Sequence, residues 1–170
     1  MRRMILAALV FGLGLVTANS VAEGQESSTL GFGGGIFDTS AFADEGDFDA
    51  FEAGLVWRGP TRLAWGVGLM AGVSANDDSA WWTYVGLRRP FPLADRWELG
   101  PTFGAAYYEE GDSKNLGHEV EFRSGLEVNR KFAGGSSIGF EFYHLSNAGL
   151  SDTNPGINSL WVVFSVPLGR

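Results

Sequence analysis

Residues 119–146, "EVEFRSGLEVNRKFAGGSSIGFEFYHLS", decide the fold. In the first half Val120, Phe122, Leu126 and Val128 alternate with Glu121, Arg123, Glu127 and Asn129. In the second half Ile138, Phe140 and Phe142 alternate with Gly139 and Glu141. A period of two puts each set on its own face of a β-strand. The "AGGS" at 133–136 between them has turn chemistry. The stretch is therefore an antiparallel hairpin with one apolar and one polar face.

The same rhythm runs through most of the chain. Eight alternating segments, separated by turn signals, lie near 29–37, 48–58, 63–75, 80–89, 97–109, 119–132, 137–145 and 158–167. Each is close to the roughly 9–11 residues a tilted strand needs to cross a bilayer. In the third segment Leu63, Trp65, Val67, Leu69, Ala71 and Val73 share a face opposite small residues such as Gly66, Gly68 and Gly72. In the fifth, Trp97, Leu99, Phe103 and Tyr107 oppose Glu98, Gly100, Thr102 and Gly104. No strong helical period competes with this pattern.

Two architectures accept such strands. A soluble sandwich buries the apolar face, whereas a small membrane barrel turns it to lipid and fills its interior with the other. The even strand number and the small, glycine-rich polar face favour the barrel. Trp57, Trp81, Trp82 and Trp97 near strand ends read as interfacial girdles. Glu52, Arg58, Arg88, Glu98, Glu121, Arg123, Glu127 and Glu141 are candidates for pairing inside. The expected fold is all-β, an eight-stranded antiparallel outer-membrane β-barrel whose interior is filled rather than open.

The start of the chain fits export. Arg2 and Arg3, an apolar run from Met4 to Val16 and the small-x-small Ser20-Val21-Ala22 read as a cleaved signal peptide over 1–22. Residues 23–170 then form a single transmembrane barrel domain. The formal net charge of −8 argues against a nucleic-acid partner. The absence of cysteine rules out disulfides and thiolate metal sites, and nothing calls for a cofactor or catalytic metal. With both termini periplasmic, the outer loops are 38–47, 76–79, 110–118 and 146–157, long or acidic; the inner turns are 59–62, 90–96 and 133–136. His118 lies in an acidic outer loop with Glu109, Glu110 and Asp112. That group reads either as a solvated loop or as a place where a divalent cation bridges to lipid phosphates.

The parity of the seventh segment raises a chemical question. Ile138, Phe140 and Phe142 point to lipid, and His144 and Ser146 continue their parity. Asn158 shares the outward parity of Leu160, Val162, Phe164 and Val166. Three polar groups thus project from neighbouring strands at the outer rim. They could simply mark the headgroup boundary. They could also form a relay, with Ser146 as nucleophile and His144 as its general base. The Asn147 amide nitrogen and a backbone N–H near Gly149 would then stabilise an oxyanion. A site on the outside of a barrel suits a lipid ester.

The stretch "YHLSNAGLSDTNPGIN", residues 143–158, resembles the signature of the PagL-type lipid A 3-O-deacylases, also called acyloxyacyl hydrolases. The resemblance rests on His-x-Ser-Asn-Ala-Gly followed by Asn-x-Gly. It implies an outer-membrane barrel that removes an ester-linked hydroxyacyl chain from the lipid A of lipopolysaccharide in the outer leaflet. It implies His144 as base, Ser146 as nucleophile, and Asn147 and Gly149 as the oxyanion hole. The family's third catalytic member is a glutamate, and Asn158 stands at its position here. Asp152 could substitute from the loop; Glu141 is a poorer candidate, having inward parity. A homodimer is compatible with this reading. The alternative is a structural or adhesive outer-membrane barrel that has lost the triad acid.

Overall fold

The computed structural model describes residues 27–39 and 50–169. The export segment over 1–22 and most of the first outer loop lie outside the described residues. The strands are β1 (Thr29–Phe37), β2 (Ala50–Arg58), β3 (Gly68–Asn76), β4 (Trp81–Arg88), β5 (Phe91–Ala94), β6 (Trp97–Glu109), β7 (Val120–Lys131), β8 (Ser137–Ser146) and β9 (Ile157–Pro167). All pair antiparallel. Eight of them close a ring, β1-β2-β3-β4-β6-β7-β8-β9 and back to β1. The short β5 pairs with β6 alone and lengthens the β4–β6 turn. Closure pairs the backbone all the way round, which lipid demands because it offers no hydrogen bonds.

Burial is inverted relative to a soluble protein. Phe32, Phe51, Val85, Phe103 and Phe140 are exposed, Phe140 at 57%, while Glu52, Glu127 and Glu141 are at most 1% exposed. An apolar belt outside and carboxylates inside is stable only if lipid surrounds the belt. This settles sandwich against barrel in favour of the barrel.

The interior charges form an alternating ladder. Glu127 accepts from Arg58 Nε at 2.9 Å and from Arg88 Nε at 3.0 Å. Glu141 accepts from Arg123 Nη1 at 2.7 Å and lies 3.6 Å from Arg58 Nη2. Arg123 is sandwiched by the rings of Tyr84 and Tyr143, 4.5 and 3.9 Å from their centroids. Glu52 accepts from Tyr143 Oη at 2.6 Å and from Trp161 Nε1. Trp161 fits because two neighbouring strands carry glycine. A Cβ at Gly33 or Gly54 would lie 2.8 Å from its ring.

Several local expectations need correction. The third strand begins at Gly68, not Leu63: Leu63 bridges back to Val67 around Trp65, which has φ 62° and is 83% exposed. The alternating pattern ran on through a turn. Trp82 belongs to no girdle; it is fully buried against Phe37 and Tyr108. Its neighbour Trp81 takes the outward position, as adjacent strand residues must face opposite ways. Glu98 pairs with Lys131 at 2.6 Å toward the barrel end where β1 begins and β9 ends, outside the ladder. Glu121 is buried with neither oxygen hydrogen-bonded among the described residues.

Candidate active site

The site sits where β8 ends and β9 begins, at the rim opposite the start of β1. The β8–β9 register places His144 directly opposite Asn158. Both are half-buried and share the side of Phe140 and Leu160. Asn158 Oδ1 lies 3.0 Å from His144 Nδ1. An amide oxygen can only accept, so Nδ1 carries the proton and Nε2 is left as the basic nitrogen. The backbone of Asn158 is held by Thr39, whose N–H donates to its carbonyl at 2.8 Å.

The imidazole also depends on Gly156. This residue has φ 64°, a conformation that suits glycine, and a Cβ on it would lie 2.7 Å from His144 Cε1 and 3.1 Å from Nε2. The Asn154-Pro155-Gly156 turn therefore frames the distal edge of the ring.

Ser146 ends β8, two residues beyond His144 on the same face. Two strand residues span about 7 Å. The Ser146 hydroxyl makes no hydrogen bond among the described residues, to His144 or otherwise. Its cross-strand neighbour is Phe122, stacked on Phe103 with centroids 6.3 Å apart. The register adds a residue that sequence reading missed. Ser124 on β7 stands opposite His144 on the side away from Asn158. Finding it requires the strand register, which parity alone does not supply.

Asn147 is used differently from the expectation. It is fully buried. Its Nδ2 donates to Leu116 O at 2.8 Å and to Thr153 O at 2.7 Å, and its Oδ1 accepts from Gly149 N–H at 2.9 Å. Both amide hydrogens and the Gly149 N–H are therefore taken. The cause is parity: Asn147 follows an outward residue, so it faces inward and pins the loop. Its own N–H donates to Asn154 Oδ1 at 3.0 Å. That bond orients the Asn154 amide and leaves its Nδ2 hydrogens without a partner among the described residues. Asn154 is thus an exposed side-chain donor in the signature loop.

Other candidates fall away on geometry. Glu141 faces inward and is paired with arginines. Asp152 is exposed, and the carbonyl-bearing partner of His144 Nδ1 is Asn158. His118 Nδ1 accepts from Val120 N–H at 2.8 Å. Among the described residues no group of three or more His, Asp or Glu is placed to hold a metal ion.

The arrangement can carry acyl transfer: a hydroxyl, a base with a defined tautomer, an anchored amide donor, and an apolar wall for an acyl chain. Comparison with known proteins points the same way. Residues 53–167 match the family described as "Lipid A 3-O-deacylase (PagL)". The chain is 38% identical over 55 residues to the lipid A deacylase PagL of Pseudomonas aeruginosa, a stretch covering 32% of each chain. It therefore matches about a third of that relative's length. The crystal structure of the outer membrane enzyme PagL superposes with a TM-score of 0.68 at 19% identity, covering 82% of this chain and 99% of the other. At that identity the superposition speaks for the barrel fold.

Proposed function

The chain belongs to the lipid A 3-O-deacylase (PagL) family, and on that premise we propose that it hydrolyses an ester-linked acyl chain of lipid A in the outer leaflet by a Ser/His mechanism. The observation that carries the reading is the His144–Asn158 contact of 3.0 Å on the lipid side of the wall, with Ser146 next along the same face. Ser146 Oγ attacks the ester carbonyl while His144 Nε2 takes its proton. Asn154 Nδ2 is the side-chain donor for the tetrahedral oxyanion. Asn147 and Gly149 act one step back, by holding the loop that presents Asn154. Collapse breaks the bond to the sugar oxygen, which leaves with the proton from His144. Water, activated by the same imidazole, then attacks the acyl-serine and frees the fatty acid. Asn158 keeps the tautomer and orientation of the base but brings no negative charge to the imidazolium.

A second reading has a specific observation behind it. An amide stands where the family has a carboxylate, which suits a barrel that keeps the fold and has lost the chemistry. Mass spectrometry of lipid A from a host making the protein, beside a Ser146→Ala control, separates the two. Loss of one acyl chain that depends on Ser146 supports the hydrolase. Unchanged lipid A with the barrel folded in the outer membrane supports the structural barrel.

A further inference from the structure

The charge ladder inside the barrel has unequal ends. In order along the interior it runs Arg88, Glu127, Arg58, Glu141, Arg123. Three guanidinium groups alternate with two carboxylates, so the row both begins and ends on an arginine. The Arg123 end is closed by the faces of Tyr84 and Tyr143. At the Arg88 end Glu127 engages only Nε. The two terminal amino groups of Arg88 make no hydrogen bond among the described residues. Arg58 Nη2, one rung further in, is buried and also lacks a hydrogen bond.

This end opens on a cavity of about 350 Å³ at the periplasmic mouth of the barrel. Arg88 and Arg58 line it, together with Asn129, Glu98, Lys131 and Ser137. Glu98 is already engaged by Lys131 at 2.6 Å and so does not neutralise Arg88. The cavity is at the opposite end of the barrel from His144 and Ser146, which lie at the outer rim.

We propose that this mouth is an oxyanion-binding site, taking the carboxylate or phosphate group of a periplasmic molecule on the free fork of Arg88. A planar guanidinium held through Nε by a buried carboxylate presents its two outer N–H groups in a fixed direction, which matches the two oxygens of such an anion. The anion completes the alternation of the ladder at its Arg88 end. The size of the cavity admits a small anion or the end of a longer molecule.

The test uses the full mature barrel in zwitterionic detergent micelles at constant ionic strength. Acetate and inorganic phosphate are titrated against chloride, and the Arg side-chain N–H signals are followed by NMR. The expected result is a saturable shift of the Arg88 signals with acetate, phosphate or both, and none with chloride. Which anion saturates first distinguishes a carboxylate-bearing from a phosphate-bearing ligand. Arg88→Met should weaken binding by about ten- to a hundredfold, the worth of a charge-assisted hydrogen bond. Because that variant leaves Glu127 with one partner fewer and could unfold, Arg88→Lys is the second variant. It keeps the charge beside Glu127 but removes the fork, and binding should still fall. Shifts that do not saturate, that chloride reproduces, or that survive in folded Arg88→Lys at full strength overturn the proposal.

Discussion

Replacing Asn158 by aspartate adds one negative charge at constant shape, because the two side chains are isosteric. The carboxylate oxygen then occupies the place of Oδ1, 3.0 Å from His144 Nδ1. When the base takes the serine proton, that charge attracts the imidazolium. At this distance the attraction is about 1.4 kcal/mol in bulk water and about 5.5 kcal/mol at an effective dielectric of 20. These bounds correspond to about tenfold and about 10⁴-fold in rate. The pair is half-buried, so the expected gain is about 10²–10³-fold. It is measured as the initial rate of fatty-acid release from lipid A in mixed micelles by purified, folded barrel. Asn158→Glu, which restores the family residue, should also accelerate, with the extra methylene absorbed by adjustment of the ring. If folded Asn158→Asp and Asn158→Glu release acyl chains no faster than the parent, the missing charge is not what limits this protein, and the role assigned to Asn158 is wrong.

Three further outcomes follow from the same geometry. Gly156→Ala places a methyl 2.7 Å from His144 Cε1 at φ 64°; it should cost about 1–2 kcal/mol of stability and, by displacing the ring, about 10² in release rate, both read on the refolded barrel. Asn154→Ala removes the anchored amide donor and should lower turnover by about 10²–10³ with little change in KM, whereas Asn147→Ala should act through the loop and disturb KM as well. Glu127→Gln leaves Arg58 and Arg88 without their shared carboxylate; it should destabilise the barrel by about 3–5 kcal/mol, seen as a lower denaturant midpoint in micelles, with catalysis at the far rim unaffected while the barrel stays folded.

The barrel was legible in the sequence because its determinant is a period of two, which survives without any knowledge of partners. Val120 to Asn129 alone separates a lipid face from a filled interior, and the structure keeps that parity in β7, β8 and β9. What parity cannot carry is where a strand stops and which residues meet across it. Leu63–Val67 alternates like a strand yet folds back on itself, and Phe91–Ala94 pairs where only a turn was expected. Ser124 enters the site through register, not through spacing. The contact between His144 and Asn158 followed from outward parity on neighbouring strands. The use of Asn147 was within reach by the same rule: a residue next to an outward serine faces inward, where its amide meets the carbonyls of Leu116 and Thr153 rather than a lipid. The motif had suggested a donor by type, whereas the backbone decides which asparagine is free.

The most direct test of the central claim, that the outward hydroxyl beside His144 is a catalytic nucleophile, is covalent labelling with a fluorophosphonate followed by peptide mapping. The purified barrel in micelles is treated, digested, and compared with His144→Ala. The account predicts a single adduct on Ser146 that is lost with the imidazole and protected by lipid A. An adduct on Ser124 instead, or no adduct on Ser146 in a preparation that still deacylates lipid A, would contradict it.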